Sequence, residues 1–372
     1  MKQFISILFL LSFALLSCKQ ELPEPPEYTI TCYAAVYAKG IFKTDNGGKS
    51  WYSIDRDQVD LYAYFKRIYP DPLDRDSLLV TTTGAGLFRL DLKKKTLENN
   101  PLFEEYSLSA VVSRVSSTST EKKWDMFVAT HGHGIFLCRN GLGHCSEYNR
   151  GLIYRDVNTL LSCGKNLYAG TVKDLFKWDE DSGQWIVASK GICNKNILCI
   201  AGDEKTGVLF AGAGAYQGKR GFFEKIPCLY KSTDQGLTWV PSFTGIPDSA
   251  RIYAIAINPE SPGRIYAGTS KGIYRSTNGG DEWVKMEQGL PGKVKVFDIR
   301  IARMPDGKDV VYAATSEGVF MTVDDDVTRW AGRNYGLEPS AVTSLLPGDA
   351  LNLLTYGKPV TRRAERGIRQ TK

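Results

Sequence analysis

The stretch YAGTSKGIYRS, residues 266–276, opens as a strand-like run ending in small residues, turns briefly, and closes on Gly, an aliphatic residue and an aromatic one. The same order recurs along the whole chain. It returns as AVYAKGIFKT at 35–44, LVTTTGAGLFRL at 79–90, FVATHGHGIFLC at 127–138, YAGTVKDLFKW at 168–178, and YAATSEGVFMT at 312–322. A further copy is split, with FAGAG at 210–214 and LYKST at 229–233 on either side of an insertion. The aromatic falls at Phe42, Phe88, Phe136, Phe176, Tyr230, Tyr274 and Phe320, so successive copies lie 40 to 54 residues apart. Alternation and a Thr, Tyr, Val and Gly-rich content exclude helical repeats.

A second apolar stretch precedes most copies: YAYFKRIYP, AVVSRV, VNTLLSC, ILCIAGD, IYAIAINP, VFDIRIA and, last, VTSLL at 342–346. Each reads as an innermost strand buried on both faces. A unit is then inner strand, small-residue strand, aromatic strand and outer strand, and a period near 46 residues matches one four-stranded blade. Sheets of this kind bury a core only by packing against their neighbours in a ring. The expected fold is therefore an all-β, single β-propeller over residues 29–357. The first unit lacks a preceding inner strand and VTSLL lacks a following unit, so seven blades closed by both chain ends is the simplest count. LNLLTYGKPVTRR, beyond VTSLL, has the look of a further blade's continuation and keeps eight open.

Three units end in a tighter motif. Ser232, Asp234, Gly236, Thr238 and Trp239 fill every fixed position of S-x-D-x-G-x-T-W, while Thr44, Asn46, Gly48 and Trp51, and Ser276, Asn278, Gly280 and Trp283, put Asn at the Asp position. This resembles the Asp-box, or BNR repeat, of sialidases, sortilin-type receptors, photosystem assembly factors and many bacterial propellers. A short carboxylate or amide accepts backbone N–H bonds in the hairpin, Gly relieves positive φ, and Trp is expected to pack back into its own blade. The resemblance places these hairpins on one face and the loops joining second to third strands, or blade to blade, on the other, where family sites usually lie. Asp234, Asn46 and Asn278 are accordingly structural.

A formal charge of +6 first points toward nucleic acid. Its location removes that reading: residues 358–372 carry six basic residues against Glu365, Lys2 sits in the leader, and residues 19–357 are formally neutral. No excess charge is left on the domain to neutralise phosphates. The basic tail reads as a solvated end. The leader MKQFISILFLLSFALLSC has one positive charge and an apolar run too short for a membrane span, as a secretory signal does. Leu15-Leu16-Ser17-Cys18 resembles the bacterial lipoprotein box, which implies cleavage after residue 17 and lipidation of Cys18. Lys19 after the site implies an outer-membrane address, and residues 18–28, Pro-rich and acidic, read as a tether. An exported compartment permits disulfides, and with Cys18 lipidated seven cysteines remain, an odd number.

All three histidines lie in HGHGIFLCRNGLGHC, inviting a zinc site of His131, His133, Cys138, His144 and Cys145. The repeat argues against it: His131 and His133 fall in a loop between second and third strands, whereas His144 and Cys145 lie a strand-length away on the other face. No metal or other cofactor is expected. Cys138 and Cys145 flank a turn and are a cross-strand disulfide candidate. Cys193 and Cys228 share the opposite face and form a second candidate pair, which would pin the insertion at 214–227. That insertion brings Tyr216, Lys219, Arg220, Phe222 and Phe223 to the face, aromatic and cationic groups suited to contact. The ligand-binding set is thus these five with His131 and His133.

Phe65-Lys66-Arg67-Ile68-Tyr69-Pro70 resembles the F-R-I-P motif of sialidases only with Lys66 and Tyr69 intruding, and its alignment with the other inner strands makes it structural. Arg114, Arg155, Arg251 and Arg300 show no spacing that selects a carboxylate-binding triad. A xyloglucanase-like reading would use two aspartates in a cleft, here Asp156 and Asp298 at the starts of inner strands. The preferred reading is a lipid-anchored, monomeric, non-catalytic propeller that binds an envelope protein or glycan. A glycoside hydrolase and an assembly factor for an envelope complex are the alternatives.

Overall fold

The computed structural model describes residues 30–55, 64–116, 123–139, 141–214, 226–304, 306–325, 329–337 and 340–348. Cys18, the tether, the contact residues Tyr216, Lys219, Arg220, Phe222 and Phe223, the stretch LNLLTYGKPVTRR and the basic tail lie outside them. The described strands form seven four-stranded antiparallel sheets, each one blade of a β-propeller. Blades 2 to 7 follow chain order from inner to outer strand, with inner strands Tyr64–Pro70, Leu108–Val115, Val157–Cys163, Ile197–Gly202, Ile252–Ile257 and Val296–Arg303. Blade 1 takes its inner strand, Val342–Pro347, from the far end of the chain and its other three, Cys32–Val36, Gly40–Thr44 and Tyr52–Ser53, from the near end. The ring closes at seven, and VTSLL is the strand that closes it.

Burial is organised by the seams between blades. Each of the seven apolar clusters draws side chains from two neighbouring sheets, as where Tyr168 and Leu175 of blade 4 pack with Ile197, Leu209 and Tyr230 of blade 5. Radial packing also explains the recurring small residues. A β-carbon on Gly212 would lie 2.6 Å from Ile252 Cγ2 in the next blade, so the second strand must be bare where the neighbouring inner strand crosses it.

The tryptophans do more than the sequence leads one to expect. Each packs among side chains of its own blade, and its indole also reaches across the seam to the preceding one. Trp239 Nε1 donates to Ala188 O at 2.8 Å, Trp283 Nε1 to Ser242 O at 2.8 Å and Trp51 Nε1 to Arg333 O at 2.9 Å. Their backbone N–H groups donate to Lys190, Thr244 and Tyr335 carbonyls, one residue before a Gly in each case. Gly245, at φ +97°, shows why that residue must be Gly: a β-carbon there would meet Trp283 O at 2.0 Å.

The three motif hairpins share one geometry. Ser232 Oγ donates to Asp234 Oδ1 at 2.7 Å and accepts from Gly236 N at 2.9 Å, and Asp234 Oδ1 accepts from Thr238 N at 2.9 Å. Thr44, Asn46, Gly48 and Ser50 repeat these bonds, as do Ser276, Asn278, Gly280 and Glu282. The Thr238 hydroxyl and amide hold the Asp234 carboxyl down at about 2. These carboxylate and amide groups are consumed in shaping turns.

Candidate functional site

Every inner strand carries one extra residue at the same place, seen as a jump in register near its start. In blade order the extra residues are Thr343, Lys66, Ser109, Asn158, Leu198, Tyr253 and Phe297. Such a bulge leaves one residue unpaired in the ladder and re-aims its side chain. Because inner strands start from the inter-blade loops, the seven bulges ring the channel mouth on the face that also bears the loops between second and third strands. Several reach to the next blade: Thr343 Oγ1 donates to Phe65 O at 3.1 Å, Asn158 Nδ2 to Ile197 O at 2.9 Å, and the Tyr253 and Phe297 rings lie 5.7 Å apart. The ring has two sides. Blades 1 to 4 contribute Thr, Lys, Ser and Asn, whereas blades 5 to 7 contribute Leu, Tyr and Phe.

Lys66 is the one charged member, and it is wired to the loop of blade 3. Its Nζ lies 2.6 Å from His131 Nε2, and His131 Nδ1 lies 2.7 Å from Asp156 Oδ1. An ammonium only donates, so Nε2 accepts and the imidazole proton resides on Nδ1, pointing at the Asp156 carboxylate. Burial, with the Arg67 charge adding to it and Asp156 opposing, brings the Lys66 amine down to about 8. Burial and the Lys66 charge also lower His131, against the pull of Asp156, which keeps the ring neutral. In the same ring Ser109 Oγ is buried with no hydrogen-bond partner among the described residues.

His133 goes elsewhere. Its ring stands edge-on to Tyr106 at 4.8 Å, and its carbonyl accepts from Asn149 Nδ2 at 3.2 Å. The two histidines therefore diverge, one toward the channel mouth and one along the face. Among the described residues no group of three or more His, Cys, Asp or Glu side chains gathers as metal ligands do. Exposed aromatics complete the face. Tyr37 and Tyr64 stack at 5.0 Å with an 18° interplanar angle.

The two aspartates of the hydrolase reading have separate duties. Asp156 is committed to His131. Asp298 is 3% exposed, and its Oδ2 accepts from Ser344 Oγ at 3.1 Å, Leu345 N at 3.0 Å and Arg300 Nε at 3.2 Å. It grips the closing strand, and Ser344 Oγ in turn accepts from Ile68 N at 3.3 Å, tying blades 7, 1 and 2 together.

Cysteine pairing follows the sequence at one site and departs from it at another. Cys138 and Cys145 are register partners across the outer hairpin of blade 3 and form a disulfide, with Cα atoms 4.1 Å apart. Cys193 and Cys228 do not pair. The Cys193 thiol lies 3.0 Å from the Tyr230 hydroxyl and the Cys228 thiol points at Pro247 O, 3.8 Å away. The insertion's ends are pinned without a disulfide: Gly214 N donates to Asn196 O and Ala213 N to Cys228 O, both at 2.8 Å.

Lys66 was passed over in the sequence because it looked like an intruder in a recurrent strand. Aligning all seven inner strands would have exposed it: the intruding residue is the bulge, and only blade 2 places a charge there.

No protein-family model matches the chain, and no curated protein matches it in sequence. Solved structures match the fold. The extracellular domain of BT4673 from B. thetaiotaomicron, described as a hybrid two component system, superposes with a TM-score of 0.58 at 11% identity, over 80% of this chain and 38% of that one. An ancestral GH74 enzyme gives 0.62 at 15% identity, over 84% and 46%. The chain thus spans less than half the length of either. YCF48 bound to a D1 peptide gives 0.56 at 12% identity, over 82% of this chain and 99% of that one. At these identities the likeness shows the propeller fold alone, and the chemistry must be read from this chain's own residues.

Proposed function

We propose that this chain is an exported, lipid-anchored propeller that binds a protein or glycan of the cell envelope without transforming it, using the face that bears the bulge ring. The observation that carries this reading is the Lys66–His131–Asp156 network at the channel mouth. It places a fixed cation and an ordered imidazole where a ligand can meet them, while Asp156 and Asp298 are each occupied by protein donors. Glycoside hydrolysis by two carboxylates needs one free to protonate and one free to attack or activate water. The leader, with Cys18 in a lipoprotein-like box, supports export and anchoring at the outer membrane. The Asp-box hairpins support kinship with other binding and catalytic propellers of that kind, and YCF48 with its peptide is a fold relative whose occupant is a protein.

Replacing Tyr37 or Tyr64 with a photo-crosslinking amino acid, in the full chain in its own envelope, is expected to capture a partner, whereas the same group at Val240 on the outer rim is not. Equal capture from both positions, or release of reducing sugar from envelope glycans by the purified protein, would sink the reading. Cys18→Ser is expected to move the protein from the membrane to the soluble fraction.

A further inference from the structure

The two-sided composition of the bulge ring specifies more than a face. Going round the mouth, Thr343, Lys66, Ser109 and Asn158 are followed by Leu198, Tyr253 and Phe297, and none of these last three is fully buried. Below Lys66, at the next register position, stands Arg67 among Tyr69, Asp298 and Cys199, and Arg300 lies beside Asp298. The negative charges here are Asp156, held on the other nitrogen of the His131 ring, and Asp298, saturated by its three donors. Three cations thus face two satisfied carboxylates, and the mouth is left with a positive field on its polar side. Burial first and the Arg67 charge second lower the basicity of Lys66, and the surplus charge stands on the polar side of the mouth. An added anion would relieve it.

We infer that the channel mouth is a peptide-binding site that takes a carboxylate against Lys66 and an adjacent aliphatic or aromatic side chain against Leu198, Tyr253 and Phe297. The inference rests on the binding-face reading above and names the chemistry of its ligand. A peptide suits the arrangement better than a sugar. The Tyr253 and Phe297 rings lie 47° to one another and so do not make a flat stacking platform. Sugar hydroxyls are best clasped by carboxylates with both oxygens open, and Asp156 Oδ1 already holds the His131 ring.

Three probes separate the two halves of the site: acetyl-Asp-Phe-amide, acetyl-Asn-Phe-amide and acetyl-Asp-Ser-amide, titrated calorimetrically against the purified mature domain. The first is expected to bind at least about tenfold more tightly than either other. Lys66→Met is expected to abolish the preference for Asp over Asn and leave that for Phe over Ser, and Tyr253→Ser the reverse. Because each variant loses one preference and keeps the other, misfolding is distinguishable from loss of a contact. Equal affinity for the Asp and Asn probes, an unchanged Asp preference in Lys66→Met, or tighter binding of glucuronate than of the Asp-Phe probe would overturn the inference. If crosslinking from Tyr37 or Tyr64 succeeds while the probes fail to discriminate, the peptide inference falls and the binding reading stands. If both fail, both fall.

Discussion

Asp55 shows how one atom changes a repeated part. In blades 3 and 7 an Asn caps the third strand, with Asn149 Oδ1 accepting from Ile135 N and Asn334 Oδ1 from Val319 N, both at 2.7 Å. Blade 1 puts Asp55 there, accepting from Ile41 N at 2.8 Å and 3% exposed. Burial raises this carboxyl to about 6, against the lowering effect of the Ile41 amide. A pKa raised on folding means the native state binds the proton more tightly than the unfolded chain. Asp55 therefore weakens the fold above about pH 6, and the penalty disappears as pH falls toward 4. Asp55→Asn is expected to raise stability at pH 7 by roughly 1–3 kcal/mol and to leave it unchanged near pH 4. Paired thermal melts at the two pH values check this, and an equal shift at both would refute the assignment. Lys66 works in the opposite sense for binding. Its ammonium is lost as pH rises through about 8, so affinity for the anionic probe should fall between pH 7 and 9, with Arg67 and His131, which also face it, holding their charge states across that range. Lys66→Met should flatten the profile.

Elements carry the second set of consequences. The Gly-Trp clasp between blades combines a buried indole, its N–H bond and a backbone pair, so Trp283→Ala is expected to cost about 3–5 kcal/mol. Gly245→Ala should also be destabilising because both the positive φ and the Trp283 carbonyl exclude a β-carbon. Either effect is read as a shift in denaturation midpoint at unchanged m-value. The closing strand depends on Asp298, and Asp298→Ala leaves Ser344 Oγ and Leu345 N without their acceptor. A loss of about 2–4 kcal/mol is expected, together with early hydrogen exchange in Val342–Pro347. By contrast the Cys138–Cys145 disulfide spans only seven residues of sequence and restrains a small loop. Removing it with a double Ser substitution should cost no more than about 2.5 kcal/mol and leave ligand binding intact, since this hairpin lies on the opposite face.

For the whole molecule, the architecture was legible in the sequence because a propeller repeats its demands. Seven seams need seven small-residue strands, and three hairpins with one geometry need one motif, so recurrence reveals them without any contact being known. Even closure was readable, since a unit lacking its first strand and a strand lacking its unit must complete each other. The candidate site was less legible for the same reason. A site is where the repeats differ, and the difference at Lys66 was masked by its resemblance to a strand that recurs. His131 and Asp156 were singled out separately, 25 residues apart, with no sequence signal that joined them. The sequence by itself determined the blade order, because that follows from local periodicity, and its resemblance to Asp-box repeats implied the faces and the structural fate of the motif carboxylates. Only the tertiary structure decided that the tryptophans clasp the neighbouring blade, that Cys193 and Cys228 stay apart, and that Asp298 serves closure. It likewise brought Lys66, His131 and Asp156 from three blades to one mouth. Those outcomes depend on distances across seams and around a ring, which no single strand's pattern encodes.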